Sequence, residues 1–152
     1  MAEYIAVEPQ TVNPGETVVF YNTAATTRRQ LVLHRDGTGV FTLRGYVPRQ
    51  GGCPCKQPDS ASYLAAFGAN IAIPTGGTVG AISLALAVDG TTIPASTMTV
   101  TPAAVEQFFN VSREINALVW RGCCQSLSIR NTSDQPILVS AANLVISRPD
   151  LR

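Results

Sequence analysis

Apolar and polar residues alternate with a period of two along most of this 152-residue chain. In "SLSIRN", Leu127 and Ile129 alternate with Ser126, Ser128 and Arg130, which predicts a half-buried strand with one face in the core. "ISLALAV" (82–88) alternates only weakly, as a strand buried on both faces would. Further strands are expected within 3–9, 13–23, 116–122, 125–133 and 136–148. Residues 30–45 read as a hairpin around the loop "RDGTG". Two more strands lie in 63–102, joined by "PTGG" as a hairpin turn, with an Asp-Gly turn at 89–90. Helical patterning is nearly absent: "TPAAVEQFFNVSREI" (101–115) reads as one turn near 102–106 leading into a strand. About nine or ten short antiparallel strands with turn signals every 8–12 residues predict a sandwich or barrel. Leu84, Leu86, Val88, Leu127 and Ile129 should then be buried. One irregular break stands out at 46–62, with three prolines, two glycines and two cysteines. No linker or repeat divides the chain, so 1–152 is expected to be one domain.

Charge changes the picture in one respect. Charged residues make up 14% of the chain, against about 25% in an ordinary globular domain. A surface so poor in charge suits burial against neighbouring subunits. Net charge is +1, which gives no electrostatic case for nucleic acid or membrane partners. Ten of the eleven basic residues are arginine, with Lys56 the exception. Arginine is enriched at interfaces where lysine is depleted, although genomic base composition gives the same bias. Arg28 and Arg29 form a local pair too short for a nucleic-acid patch; with Trp120 and Tyr46 they are candidate interface or surface-contact residues. For the two aromatics the core is the other natural place. No window approaches about 18 uninterrupted apolar residues. The opening "MAEYIAVEPQ" lacks the features of a secretion signal, so a soluble protein made in the cytoplasm is expected.

Catalytic signals are weak. The single histidine, His34, precedes a tight turn and reads as a turn cap rather than a general base. Neither Gly-x-Ser-x-Gly nor His-Glu-x-x-His occurs, and "PTGGTVG" lacks the lysine of a phosphate loop. Asp36, Asp59, Asp89, Asp134 and Asp150 fall mostly in turns, where aspartate caps its own backbone. No enzyme activity, cofactor or metal is expected. The cysteines are the unusual feature: Cys53 and Cys55 in "GGCPCKQ", and Cys123 and Cys124 in "RGCCQ". Zinc ligation is disfavoured, because adjacent residues of an extended segment point to opposite faces. Neither pair closes readily on itself, so disulfides would run between the pairs or between chains. Four reduced thiols are the remaining alternative.

Several segments resemble the tumour-necrosis-factor-like and complement-globular-head jelly-roll superfamily. "LVLHRDGTGVFTLRG" is similar to its polar residue and Gly-x-Gly-x-Phe-x-Leu strand, here His34, Gly37, Gly39, Phe41, Leu43 and Gly45. "ISLALAVDGTTIPAS" resembles its central strand and turn, and "SLSIRNTSDQPILVSAANLVISR" its two closing strands. The resemblance spans most of the chain; the insertion "VPRQGGCPCKQPDSAS" departs from it. It implies an all-β jelly-roll sandwich that associates with itself as a trimer, without catalysis. The texture also resembles accessory virion proteins of tailed phages, which decorate capsids or form head fibres alongside other virion proteins. On that reading the cysteines oxidise after assembly. A spore or cell-surface protein of the same fold is the first alternative, and a glycan- or receptor-binding module the second.

Overall fold

The computed structural model describes residues 1–25, 31–47, 59–122 and 124–149. Among the described residues there are twelve strands, more than the sequence suggested because several span only two or three residues. Sheet A contains β10 (Phe109–Trp120), β6 (Ser60–Ala72), β12 (Ile137–Ser147), β1 (Ala2–Ala6) and β3 (Tyr21–Asn22) in that order. A further strand, β2 (Gln10–Val12), also pairs with β12. Sheet B runs β4 (Val32–His34), β5 (Phe41–Arg44), β11 (Cys124–Asn131), β7 (Ile82–Val88) and β8 (Thr91–Thr92), with β9 (Met98–Val100) on β7. Every pairing is antiparallel.

The two sheets close over one core, as the period-two pattern requires. On β6, Ala61, Tyr63, Ala65, Phe67, Ala69 and Ile71 are buried, while Ser62, Leu64, Ala66, Gly68 and Asn70 are half-buried on the other face. From sheet B, Phe41, Leu43, Leu84, Leu86, Leu127 and Ile129 complete the core. Val88 is only partly buried at its margin. Ala85 and Ala87 are fully buried as well, so β7 is covered on both faces as expected. On β11, Ser128 is buried too, so this strand is not half-buried as its alternation predicted.

Chain crossings define the jelly roll. The connections β5–β6, β6–β7, β9–β10, β10–β11 and β11–β12 each pass from one sheet to the other. "PTGG" does form a tight turn, closed by the Gly77 amide donating to the Pro74 carbonyl at 2.9 Å. It carries the chain between sheets and is not a hairpin; a local turn signal cannot reveal which sheet follows. Asp89 and Gly90, at φ 51° and 80°, do make the predicted hairpin between β7 and β8. Residues 103–106 turn before β10, as the sequence indicated. The stretch 13–23 is less regular than expected. It contributes β3 and isolated bridges from Thr17 to Arg130 and from Phe20 to Thr38. Gly39 admits this crossing, because a Cβ there would land on the Thr17 side chain and the Val18 carbonyl.

Candidate functional site

Of the sequence-predicted site residues, the described ones, Tyr46, Trp120 and Cys124, fall at one end of the sandwich. Arg28, Arg29, Cys53, Cys55 and Cys123 lie outside the described residues. Cys124 is exposed and pairs across β11–β5 with Arg44. The irregular break ends at Asp59, since β6 already begins at Ser60. Its described flanks meet the β10–β11 turn: the Arg121 amide donates to the Asp59 carbonyl at 2.7 Å, and the Gly122 amide to the Gly45 carbonyl at 3.2 Å. Strand counting alone could not tell whether the two cysteine-bearing connections share an end. The β5–β6 and β10–β11 connections do share one.

Tyr63 and Arg148 build the floor of this end. The Tyr63 hydroxyl reaches across the core to the carbonyls of Leu31 (3.0 Å) and Arg44 (2.5 Å), tying sheet A to sheet B. The Arg148 guanidinium lies 4.9 Å from the Tyr63 ring centroid and donates to the Tyr46 carbonyl at 2.9 Å. Arg148 is buried just past the end of β12, and its sequence position at the end of the expected strand 136–148 gave no sign of that role. Trp120 is 63% exposed and Tyr46 48%, so neither belongs to the core in this chain. Both stand at this end, Trp120 opposite Ser60 on the outward face of sheet A.

That outward face is poor in charge. Across β10, β6, β12 and β1, register rows read Asn116–Leu64–Ser147, Glu114–Ala66–Val145–Glu3 and Ser112–Gly68–Asn143–Ile5. Side chains are small or uncharged apart from the two glutamates, which share one row. Asn110 and Asn70 hydrogen-bond at 3.1 Å, and Asn143 donates to Glu3 at 2.7 Å. Leu118, 57% exposed, extends the apolar character to Trp120.

His34 is structural. Its ring stacks on Phe41 with centroids 4.2 Å apart, and Tyr4 packs edge-on at 5.0 Å. Nε2 meets the Thr38 carbonyl at 2.9 Å and Nδ1 the Asn22 Oδ1 at 2.7 Å, which pins the β4–β5 turn to β3. Among the described residues no group of three His, Cys, Asp or Glu side chains could hold a metal. No helix among them is long and apolar enough to cross a membrane.

No protein-family model matches the chain, and no curated protein matches it in sequence. Solved structures do match along nearly its whole length. Eiger TNF from S. frugiperda is similar at 10% identity, covering 97% of this chain and 91% of that one, with a TM-score of 0.60. The globular domain of zebrafish complement 1qA protein shares 13% identity over 95% and 96% of the two chains (TM-score 0.48). The EclA C-terminal domain, a sugar-binding protein, shares 14% over 93% and 79% (TM-score 0.42). At such identities likeness bears on fold alone, and the Eiger comparison supports the jelly-roll assignment: this chain is an all-β jelly-roll sandwich.

Proposed function

We propose that this chain is a non-catalytic structural module that assembles with copies of itself into a trimer through the outward face of sheet A. The observation that carries this reading is the face itself: four strands of mostly small or uncharged side chains, with Glu3 and Glu114 the exceptions, bounded by exposed Leu118 and Trp120. The threefold arrangement is what the family resemblance implies. A separate resemblance, that of the chain's texture to accessory virion proteins of tailed phages, is the ground for a virion setting, as a capsid decoration or head-fibre protein contacting other virion proteins. A spore or cell surface is the alternative setting for the same assembly.

Native mass spectrometry tests the assembly. Wild type should be a trimer, and Leu64→Arg, in the middle of the face, should give a folded monomer. Thr99→Arg, on an exposed position of β9, should leave the trimer intact. A wild-type monomer at micromolar concentration would overturn the reading. Binding of the wild-type trimer to pre-formed capsids, without any added small ligand, tests the virion setting.

One observation favours a second reading. Trp120 and Tyr46 are both exposed at the cysteine end, which suits a glycan- or receptor-binding contact. A glycan-dependent binding signal abolished by Trp120→Ala would select it.

A further inference from the structure

The two glutamates of the sheet-A face have no cation beside them. Glu114 and Glu3 stand in one row, and among the described residues no lysine or arginine projects from the strands of this face. Glu3 has a partner within the chain, the Asn143 amide at 2.7 Å. Glu114 has no partner among the described residues. Beside it the small side chains of Ala66 and Ser112 leave a hollow of about 400 Å³, which Phe67 and Arg113 also line. Covering the face strips water from Glu114, and an ionised carboxylate buried without a cation is strongly destabilising. Whatever covers this face must therefore bring a cation to it.

The adjacent cation is placed where its own chain cannot use it for this purpose. Arg113 precedes Glu114 on β10, and successive side chains of a strand point to opposite faces. Glu114 lies across from Ala66 on the outward face, whereas Arg113 lies across from Phe67 in the core-facing row. Phe67 is buried but Arg113 is exposed, because β10 is the edge strand of sheet A and Arg113 overhangs that edge. Arg113 makes no hydrogen bond or ion pair among the described residues. The edge strand thus carries a positive charge on one flank and a negative charge on the other, one residue apart.

We infer that the β10 edges meet around the threefold axis, with Arg113 of each copy reaching into the hollow beside Glu114 of the next, so that one ion pair closes each contact of the trimer. Symmetry selects a second copy as the occupant. A closed trimer is joined by heterologous contacts, in which one surface of a copy meets a different surface of its neighbour. Opposite charges on the two flanks of one strand meet that requirement: rotation about an axis alongside β10 brings the Arg113 flank of one copy to the Glu114 flank of the next. A twofold pairing of the same edges would keep each flank with its own kind. Arginine suits the role, since its planar fork binds a carboxylate through two hydrogen bonds. The pair presupposes association through sheet A, and it fixes the register of that association.

Native mass spectrometry and sedimentation equilibrium of the full chain over a dilution series test it. Arg113→Glu and Glu114→Arg should each raise the concentration at which the trimer dissociates by about 100-fold, since each sets like charges across every contact. Arg113→Glu combined with Glu114→Arg restores opposite charges and should recover most of the wild-type affinity. Both positions are exposed in the single chain, so the variants should keep the wild-type circular dichroism. Arg113→Gln and Glu114→Gln, which only remove charge, supply the same comparison if a reversal disturbs the fold. A trimer indifferent to both reversals would overturn the ion pair and leave Arg113 as a charge that guards an exposed strand edge. So would a double variant no tighter than the single ones. Loss of the trimer in Leu64→Arg alongside that indifference places the failure in the pair alone. Wild-type protein that is monomeric at micromolar concentration removes the sheet-A trimer itself, and the pair with it.

Discussion

Tyr63 shows how much one hydroxyl can organise. Its ring belongs to sheet A, its oxygen meets two carbonyls of the sheet B margin, and Arg148 covers its face. Tyr63→Phe removes the one proton these carbonyls share, although Leu31 keeps the Arg44 amide at 2.9 Å, and should cost about 0.5–1.5 kcal/mol, read from the urea midpoint. Tyr4 bears on pH. Burial raises its pKa above the ordinary value of 10.0. The unfolded chain therefore releases this proton first, and the stability that the neutral ring contributes is full below pH 10. It is lost as pH rises through the folded-state value. Tyr4→Phe should flatten the fall in melting temperature that begins as pH rises above 10. Neither role was legible in the sequence, because both depend on what lies across the core. His34 was legible as a turn-holding residue, since a histidine just before Arg-Asp-Gly has nearby backbone to bind.

At the scale of elements, periodicity reported burial well and partners poorly. Leu84, Leu86, Leu127 and Ile129 are buried as the alternation required, because a period of two leaves no other face for them. Leu86→Ala should destabilise the fold by about 2–5 kcal/mol in a denaturant titration. Partner choice is non-local, which is why "PTGG" looked like a hairpin and is a crossing. The edge beside β7 makes the same point. Between β8 and β9, a single 3₁₀ turn at Pro94–Ser96 interrupts the pairing. Buried Ser96 accepts the Leu86 amide at 2.9 Å, and the Ile93 amide donates to the Leu86 carbonyl at 2.8 Å. A serine in "IPAS" thus stands in for a missing strand residue, which no propensity signals.

At the scale of the molecule, the low charge fraction pointed to a covered surface, and sheet A supplies a face with that character. The cysteines also change meaning once the connections are placed. Asp59 and Gly45 both bond to the β10–β11 turn, and Cys55 lies four residues before Asp59, a reach of about 13 Å. Oxidation in air should therefore link the two pairs within a chain rather than between chains. Peptide mapping without reductant checks this: a Cys53 or Cys55 peptide joined to the 123–124 peptide in a monomeric band is the expected product. Covalent dimers or trimers on a non-reducing gel would restore the interchain staple.

β12 lies between β6 and β1, so the middle of sheet A is filled by the last strand of the described fold. Before residue 147 has emerged, β6 lacks one neighbour and β1 lacks its longest pairing. The cost of bringing distant segments together is met before these contacts form, the signature of slow, all-at-once folding. A nascent chain halted after Gln135 should be digested by protease like an unstructured peptide, whereas release of the remaining residues should convert it to a resistant product. The fold thus closes in a single late commitment, and a chain halted before β12 is the form most exposed to aggregation.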